Sequence, residues 1–443
     1  MRNAAGLMML AVCMASGQEK RVLTLSLSRA VEIAMSPDGA TRARLALEQV
    51  NVAEARGRQA LGALMPNVDG SYTFRDFTQN LQAFGIQLPV IPGVNLQLPA
   101  LVGPITVNDW RASAAQSIFD LAAIRRYQAA KAQVSAAKAD EGGARNLVKG
   151  AVAKAYLNAV RADAALDTAK ANVALAERVL KQAKSQKEAG TGTGIEVTRA
   201  EVVQANERQR MIRAAEERSA ARLNLMRAMN VGLDAELELT GTLKYAPAEI
   251  PEAAKALEAA RELRPELRAQ SERERAARLS YESVKYERLP SANAFGDYGT
   301  VGKAGEPLIP TRAAGVQVRI PLWDGGRRDA RRTESAALLR QEGIRARDTA
   351  QQVELEIRLA LEALKSAESQ VAVALEAMAQ SEKELAHAQR RYEAGVSSGL
   401  EVTDAQTRVA RAREENVLAV FRQKAARVDL GVAVGNIDLV IEN

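Results

Sequence analysis

Aromatic side chains are scarce in this sequence. They make up 4% of the 443 residues, with 6 Phe, 8 Tyr and 2 Trp. A large globular enzyme normally fills much of its core with these side chains. Hydrophobic residues still reach 47%, and the chain is rich in Ala, Leu, Glu, Arg and Lys, a mixture typical of long helices. The composition therefore favours a protein built from long helices over a globular enzyme.

Histidine and cysteine occur once each, as His387 and Cys13. Single residues exclude a Cys/His metal site, a disulfide framework and any triad that needs more than one imidazole. The glycine-rich run at 190–194 lacks the preceding strand and the spacing of a nucleotide-binding loop. We therefore expect no enzymatic activity, no cofactor and no metal site, and we interpret His387 as a solvated or interhelical side chain.

A strong charge imbalance is also lacking, because 61 Lys and Arg face 54 Asp and Glu, for a net charge of +7. Basic and acidic residues alternate along helical stretches, as at Glu216, Glu217, Arg218 and Arg222. No basic run is accompanied by aromatic residues that stack on bases. This pattern indicates a solvated helical surface and no nucleic-acid partner.

Long hydrophobic runs are missing too, since no segment approaches the 18 consecutive apolar residues of a membrane-spanning helix. Residues 1–17 have a basic start, a short apolar core and small residues at the end, which predicts a secretory signal peptide. Cys13 would be the acylation site of a lipoprotein signal, but it follows Val12, where such signals carry a small residue, so lipidation is the weaker alternative. The exported chain is then either soluble outside the cytoplasm or a β-barrel.

The chain contains an internal duplication. Residues 188–200 (EAGTGTGIEVTRA) and 393–405 (EAGVSSGLEVTDA) agree at eight of thirteen positions and lie 205 residues apart. Ser117-Ile-Phe-Asp120 likewise precedes Pro321-Leu-Trp-Asp324 by 204 residues. We divide the mature chain into a first repeat over 18–245 and a second over 246–443.

Each repeat shows the same order of predicted elements. A helix, at 38–64 or 253–288, is stopped by Pro66 or Pro290. Two strand-like stretches follow, a long helix without proline comes next, and a glycine-rich turn leads into a shorter return helix. The predicted strands are 67–78, 109–119, 291–302 and 311–322, the long helices are 120–188 and 323–392, and the return helices are 195–230 and 399–433.

The long helices carry a narrow hydrophobic seam. Its members recur at intervals of three and four residues, as expected for close packing of parallel or antiparallel helices: Leu166, Ala169, Val173, Ala176 and Leu180 in the first repeat, and Ile357, Leu361, Leu364, Val371, Leu375 and Met378 in the second. The two shorter helices of a repeat together match the length of one long helix, so they fit end to end beside it. The strands then lie at one end and the glycine-rich turn at the other.

Four strands per chain are too few to close a barrel, because single-chain barrels begin at 8 strands and an open edge cannot face lipid. If the strands enter a membrane, the chain must therefore oligomerise. The strand-like stretches within the predicted strand ranges are about 9–11 residues long, which suits a tilted strand that crosses a bilayer.

The order of these motifs resembles the TolC family of outer-membrane efflux proteins. The resemblance rests on Leu23–Ala34, the stop at Pro66, Ile118–Leu121, Leu322–Gly326 and both Glu-Ala-Gly turns. It implies a mainly α fold with a β-barrel part, in which a duplicated helical hairpin forms a homotrimer with a 12-stranded outer-membrane barrel and a long periplasmic tunnel. Such a protein is a passive duct, in an efflux or type I secretion system, that receives substrates from an inner-membrane pump of the resistance-nodulation-division or ABC type through a periplasmic adaptor.

The resemblance also assigns roles to residues near the turns. Glu401 and Asp404 match the acidic positions that form the pore constriction and set cation preference, and their i, i+3 spacing places both on one helix face. The alternative is that both are first-turn acids favoured by the helix dipole. Gly190, Thr191, Gly395 and Val396 match the adaptor-docking tips, although turn glycines also serve as ordinary helix caps. The first repeat has Glu196 but Arg199, so an equivalent ring there has mixed charge.

The segment 80–108 is apolar and proline-containing, and we expect a long loop that folds over the barrel mouth or contacts outer-leaflet lipid. The main alternative for the whole chain is a secreted coiled-coil scaffold or adhesin without channel activity. The sequence does not indicate which substrate is transported.

Overall fold

The computed structural model describes residues 22–81, 83 and 100–438. The predicted signal peptide, Cys13 and most of the apolar segment after Asn80 lie outside these residues. In chain order the described elements are β1 (Val22–Leu25), α1 (Leu27–Met35), α2 (Thr41–Gly62), β2 (Asn67–Asn80), β3 (Leu101–Phe119), α3 (Leu121–Glu188), α4 (Gly194–Met229), β4 (Glu236–Leu239), α5 (Ala253–Leu263), α6 (Pro265–Tyr286), β5 (Ser291–Lys303), β6 (Ile309–Arg319), α7 (Arg327–Glu393) and α8 (Gly399–Val434).

The chain divides into two compact units that do not follow the two sequence repeats. The first unit comprises the described residues of Met1–Leu45, Gly143–Arg264 and Val353–Asn443, and the second comprises Ala46–Gly142 and Pro265–Gln352. Each repeat therefore contributes to both units. The boundary we drew near 245 separates the two copies of the pattern but is not a boundary between compact bodies.

The single helix predicted over 253–288 is wrong, because the structure has two helices there. Between α5 and α6, Arg264 has an extended backbone with φ −69° and ψ 115°. Proline has no N–H to donate and disfavours a helical conformation in the residue before it. Pro265 instead occupies the first position of α6, where no intrahelical bond is needed.

Helix packing forms the core of the first unit. The predicted seam of α3 is buried at every one of its five positions, and Ile357, Leu361, Leu364 and Val371 of α7 are buried as well. Leu375 and Met378 are only partly covered. Arg264 is buried, donates to the carbonyls of Val432 and Ala433 at 3.1–3.2 Å, and pairs with Glu356 at 2.6 Å. The end of α8 is thereby tied to the end of α5.

A small parallel sheet that was not predicted from the sequence also belongs to the first unit. β1 pairs with β4, which brings residues 22–25 beside residues 236–239 near the end of the first repeat. The hydroxyl of Tyr156 donates to the carbonyl of Leu25 at 3.1 Å and accepts the N–H of Gly241 at 2.9 Å. Both strands are only four residues long, too short to show a period in the sequence.

The second unit contains a four-stranded antiparallel sheet in the order β2-β3-β5-β6. β5 is paired with β3 along nearly the whole length of β5, so the two repeats join within the sheet. β3 begins at Leu101, opposite Asn80 of β2. The predicted loop over 80–108 is therefore too long, because 101–108 belong to the ladder. No helix among the described residues is long and apolar enough to cross a membrane.

Candidate functional site

The sheet has two chemically different faces. Cross-strand register places one set of large apolar side chains on a single face, and all of them are exposed: Val68, Tyr72, Phe74, Trp110, Tyr298, Val316 and Val318. Val316 and Val318 are 63% and 60% exposed. Water-exposed apolar surface of this extent marks a contact with lipid or protein.

The opposite face is more polar, although Phe77, Phe295 and Ile309 lie on it, and it carries a charged cluster. Arg111 of β3 pairs with Asp297 of β5, lies 3.3 Å from a carboxylate oxygen of Asp109, and donates to Thr311 of β6 at 3.3 Å. The cluster connects three strands across the junction of the two repeats. In the sequence, the alternation of charged and apolar residues indicates a charged face. Only the strand register shows that Arg111 of β3 lies close enough to Asp297 of β5 to pair with it.

Both glycine-rich turns cap the long helices in the same way. At the first turn, Gly190 has φ +77°, a conformation that favours glycine, and the N–H of Thr191 donates to the carbonyl of Gln186 at 3.0 Å. At the second turn, Gly395 has φ +71° and the N–H of Val396 donates to the carbonyl of Arg391 at 3.0 Å. These are the bonds of a left-handed helix C-cap. The four predicted tip residues, Gly190, Thr191, Gly395 and Val396, are all exposed.

Glu196 connects the two turns. Its Oε2 accepts the N–H of Thr193 at 2.9 Å, which completes a capping box at the start of α4. Its Oε1 accepts the N–H of Gly399, the first residue of α8, at 3.1 Å. These backbone hydrogen bonds, first from Thr193 and then from Gly399, lower the pKa of the Glu196 carboxyl. One carboxylate thus caps two helices from different repeats.

A hydrophobic cluster lies beneath the second turn. Its buried members come from α3, α7 and α8, and Tyr392 packs among them. Burial raises the pKa of the Tyr392 phenol, with a smaller contribution from the charge of Glu196. The cluster consists of Leu175, Val179, Leu385, Ala388, Tyr392, Val402, Ala405 and Val409.

The two predicted constriction residues differ in their surroundings. Glu401 lies in the first turn of α8, is partly covered, and pairs with Arg391 at 2.9 Å. Asp404 is exposed, and within the described part of the chain it has no ion-pair partner. The role of Arg391 was not predicted from the sequence. Its equivalent in the first repeat is Gln186, so this partner of Glu401 exists in one copy of the repeat only.

His387 is exposed, with its Nδ1 3.2 Å from a guanidinium nitrogen of Arg390. No group of three or more potential metal ligands occurs among residues 22–81, 83 and 100–438.

The chain matches the family described as outer membrane efflux protein over residues 104–231 and 256–436. No curated protein matches the sequence at a significant level.

Several solved structures resemble the fold. The Campylobacter jejuni CmeC outer membrane channel has a TM-score of 0.79 at 16% identity, covering 93% of this chain and 86% of its own. The outer membrane protein VceC of Vibrio cholerae has a TM-score of 0.77 at 18% identity, with 93% and 96% covered. The Neisseria gonorrhoeae MtrE outer membrane channel, solved in an open state, has a TM-score of 0.74 at 18% identity, with 93% and 89% covered.

Proposed function

The chain belongs to the outer membrane efflux protein family, and on that premise we propose that three copies form a passive exit duct. The duct conducts substrates that an inner-membrane pump and a periplasmic adaptor deliver. The family match covers most of the two repeats, and the fold is similar to that of solved outer membrane channels.

The two-faced sheet is the observation that carries this proposal. Its exposed apolar face suits lipid, and its polar face with Arg111, Asp109 and Asp297 suits an aqueous lumen. β2 and β6 are the edges of the described sheet, and each is open on one side. Edges that face lipid cost unsatisfied hydrogen bonds, so they must pair with other copies. Three copies of four strands supply the twelve strands of such a barrel.

The helix turns are the surfaces that we assign to the adaptor. Gly190, Thr191, Gly395 and Val396 are exposed on tight caps that Glu196 holds together. Val396 is 67% exposed, which leaves an apolar side chain at the tip for contact with a partner. A rigid turn loses little conformational entropy on docking.

Glu401 and Asp404 form the constriction in this proposal, with Asp404 as the uncompensated charge of each copy. Three copies would collect carboxylates around one axis and attract cations. The ion pair of Glu401 with Arg391 reduces the contribution of Glu401 to that field. Cation preference thus depends on the balance of three residues.

Planar-bilayer recording of the detergent-purified protein tests both the duct and its constriction. We expect a small cation-selective conductance. Glu401→Ala/Asp404→Ala should reduce the permeability ratio of potassium to chloride, whereas Arg391→Ala should increase it because Glu401 loses its partner. Glu376→Ala is the matched control, since Glu376 is an exposed carboxylate of α7 away from the turn.

The outcomes separate the alternatives. A conducting pore whose selectivity does not change when Glu401, Asp404 or Arg391 is replaced keeps the duct and refutes the constriction. A protein that is soluble without detergent and never conducts would support the secreted coiled-coil scaffold instead.

A further inference from the structure

A cavity of about 260 Å³ lies in the second unit where the sheet meets the helices. Its walls come from the first turns of α3 and α7, the end of α6 and the adjacent ends of β5 and β6. Arginine dominates the lining, with Arg126, Arg319, Arg327, Arg328 and Arg331.

The acidic residues of the cavity are already engaged by three of these arginines. Asp324 pairs with Arg328 at 3.3 Å, and Glu287 pairs with Arg331 and lies 3.7 Å from Arg126. Asp120 lies 3.6 Å from Arg126 and also caps α3 through the N–H of Ala123. The three acids are Asp120, Glu287 and Asp324.

Two arginines remain without a counter-charge. Arg319 and Arg327 are exposed, and over the described ranges neither has an ion-pair partner. Both line the cavity. The first turns of α3 and α7, which also border the cavity, add a weak positive potential of their own. The cavity therefore has an uncompensated positive charge.

The cavity lies on the polar side of the sheet. Arg319 is opposite Ser291 in the β5–β6 ladder, and both lie on the same face of the sheet as the polar Gln317. Val316 and Val318 lie on the other face. In the duct this side faces the lumen. A lipid headgroup would approach from the apolar side instead.

We propose that this cavity is an anion-binding site that takes a phosphate or carboxylate group of a transported solute, with Arg319 and Arg327 as its main ligands. Guanidinium groups bind such oxygens through paired, charge-assisted hydrogen bonds. The volume is below that of pockets which enclose a drug-sized molecule, so the site holds one charged group while the rest of the solute stays in the lumen. The placement in the lumen rests on the proposed function, whereas the binding of anions does not.

Calorimetric titration of the detergent-purified protein with inorganic phosphate at low ionic strength tests the site. Arg319→Gln/Arg327→Gln should weaken phosphate binding by at least about tenfold, because each charge-assisted hydrogen bond contributes more than a neutral one. Arg340→Gln/Arg347→Gln removes the same charge from exposed positions of α7 outside the cavity and should leave binding unchanged. Arg319→Lys/Arg327→Lys keeps the charge but loses the paired donors, so an intermediate affinity is expected.

Reversal-potential measurements place the site on the conduction path. The Arg319→Gln/Arg327→Gln protein should show a lower chloride-to-potassium permeability ratio than the wild type and the Arg340→Gln/Arg347→Gln control. Equal phosphate affinity in the wild type and the Arg319→Gln/Arg327→Gln protein would overturn the anion site. Weaker phosphate binding with unchanged permeability would overturn its place in the lumen.

A third arm separates the solute from lipid as the source of the anion. Native mass spectrometry from phosphatidylglycerol and phosphatidylcholine nanodiscs should show the same retained lipid for the wild type and the Arg319→Gln/Arg327→Gln protein. Loss of phosphatidylglycerol in the variant would assign the cavity to a headgroup and refute the proposal. A wild-type protein that binds phosphate but never conducts would refute the exit duct and leave the anion site standing.

Discussion

Glu196 uses its two carboxylate oxygens on two different helices. One oxygen accepts the N–H of Thr193 before α4, and the other accepts the N–H of Gly399 at the start of α8. Its equivalent in the second repeat, Glu401, pairs with a side chain instead. Two residues that are identical in the sequence motif therefore have different roles, one in holding the turns together and one in the proposed constriction.

Glu196→Ala should loosen both turns at once. Loss of a helix N-cap costs about 1 kcal/mol, so amide exchange at Gly399 and Thr193 should become roughly fivefold faster. Hydrogen-exchange mass spectrometry of peptides covering 190–200 and 395–403 measures this. Glu188→Ala is the control, because Glu188 is an exposed carboxylate at the end of α3. Faster exchange in the first turn alone would refute the bond to Gly399.

The same carboxyl should make the turns sensitive to acid. Its pKa in the folded protein is lowered, so its stabilising effect is complete above its unfolded pKa of about 4.3 and is lost as the pH falls through the folded pKa. The difference in exchange rate between the wild type and Glu196→Ala should therefore shrink below about pH 4. A difference that stays constant down to about pH 3 would contradict this assignment.

At the scale of elements, the pairing of β3 with β5 joins the two repeats. The strands approach closely at Gly299, where an added Cβ would collide with the backbone of Trp110 and Arg111. At Gly70 of β2, by contrast, an added Cβ would meet only open space. Close approach of one strand to another is a common reason for glycine within a strand.

Gly299→Ala should therefore weaken the sheet at the junction, whereas Gly70→Ala should not. The measurement is the fraction of protein that runs as a folded species on unheated gels after refolding into vesicles. We expect a clear loss for Gly299→Ala, because the collision is with backbone that cannot rotate away. Equal folded fractions for the two variants would show that the β3–β5 ladder shifts to accommodate the methyl group.

The whole molecule depends on which face of the sheet meets lipid. Val316 and Gln317 are neighbours in β6 on opposite faces. Val316→Lys places a charge on the face that we assign to lipid, at a cost of about 2–4 kcal/mol near the bilayer midplane. Gln317→Lys places the same charge on the face that we assign to the lumen, where water would solvate it.

Recovery in the outer-membrane fraction after expression tests the assignment. Val316→Lys should be strongly depleted there, and Gln317→Lys should match the wild type. The reverse pattern would exchange the two faces, and equal recovery of both variants would argue against a lipid contact at this strand.

The periodic parts of the chain were predictable from the sequence because their cause is local. A seam at intervals of three and four specifies helix faces, proline and glycine mark ends, and the duplicated turns repeat the whole pattern. The seam of α3 was predicted member by member. The break at Pro265 in the helix predicted over 253–288 also has a local cause, and the conformational preferences of proline could have predicted it.

Only the tertiary structure decided the rest, because it depends on contacts between residues far apart in the chain. The pairing of β1 with β4, the early start of β3 opposite Asn80 and the division into units that mix the repeats are of this kind. So are the partners of Glu196 and Glu401 and the arginines left uncompensated at the cavity. Sequence spacing fixes which residues share a helix face or strand face, whereas charge compensation is set by whatever packing brings within a few ångströms.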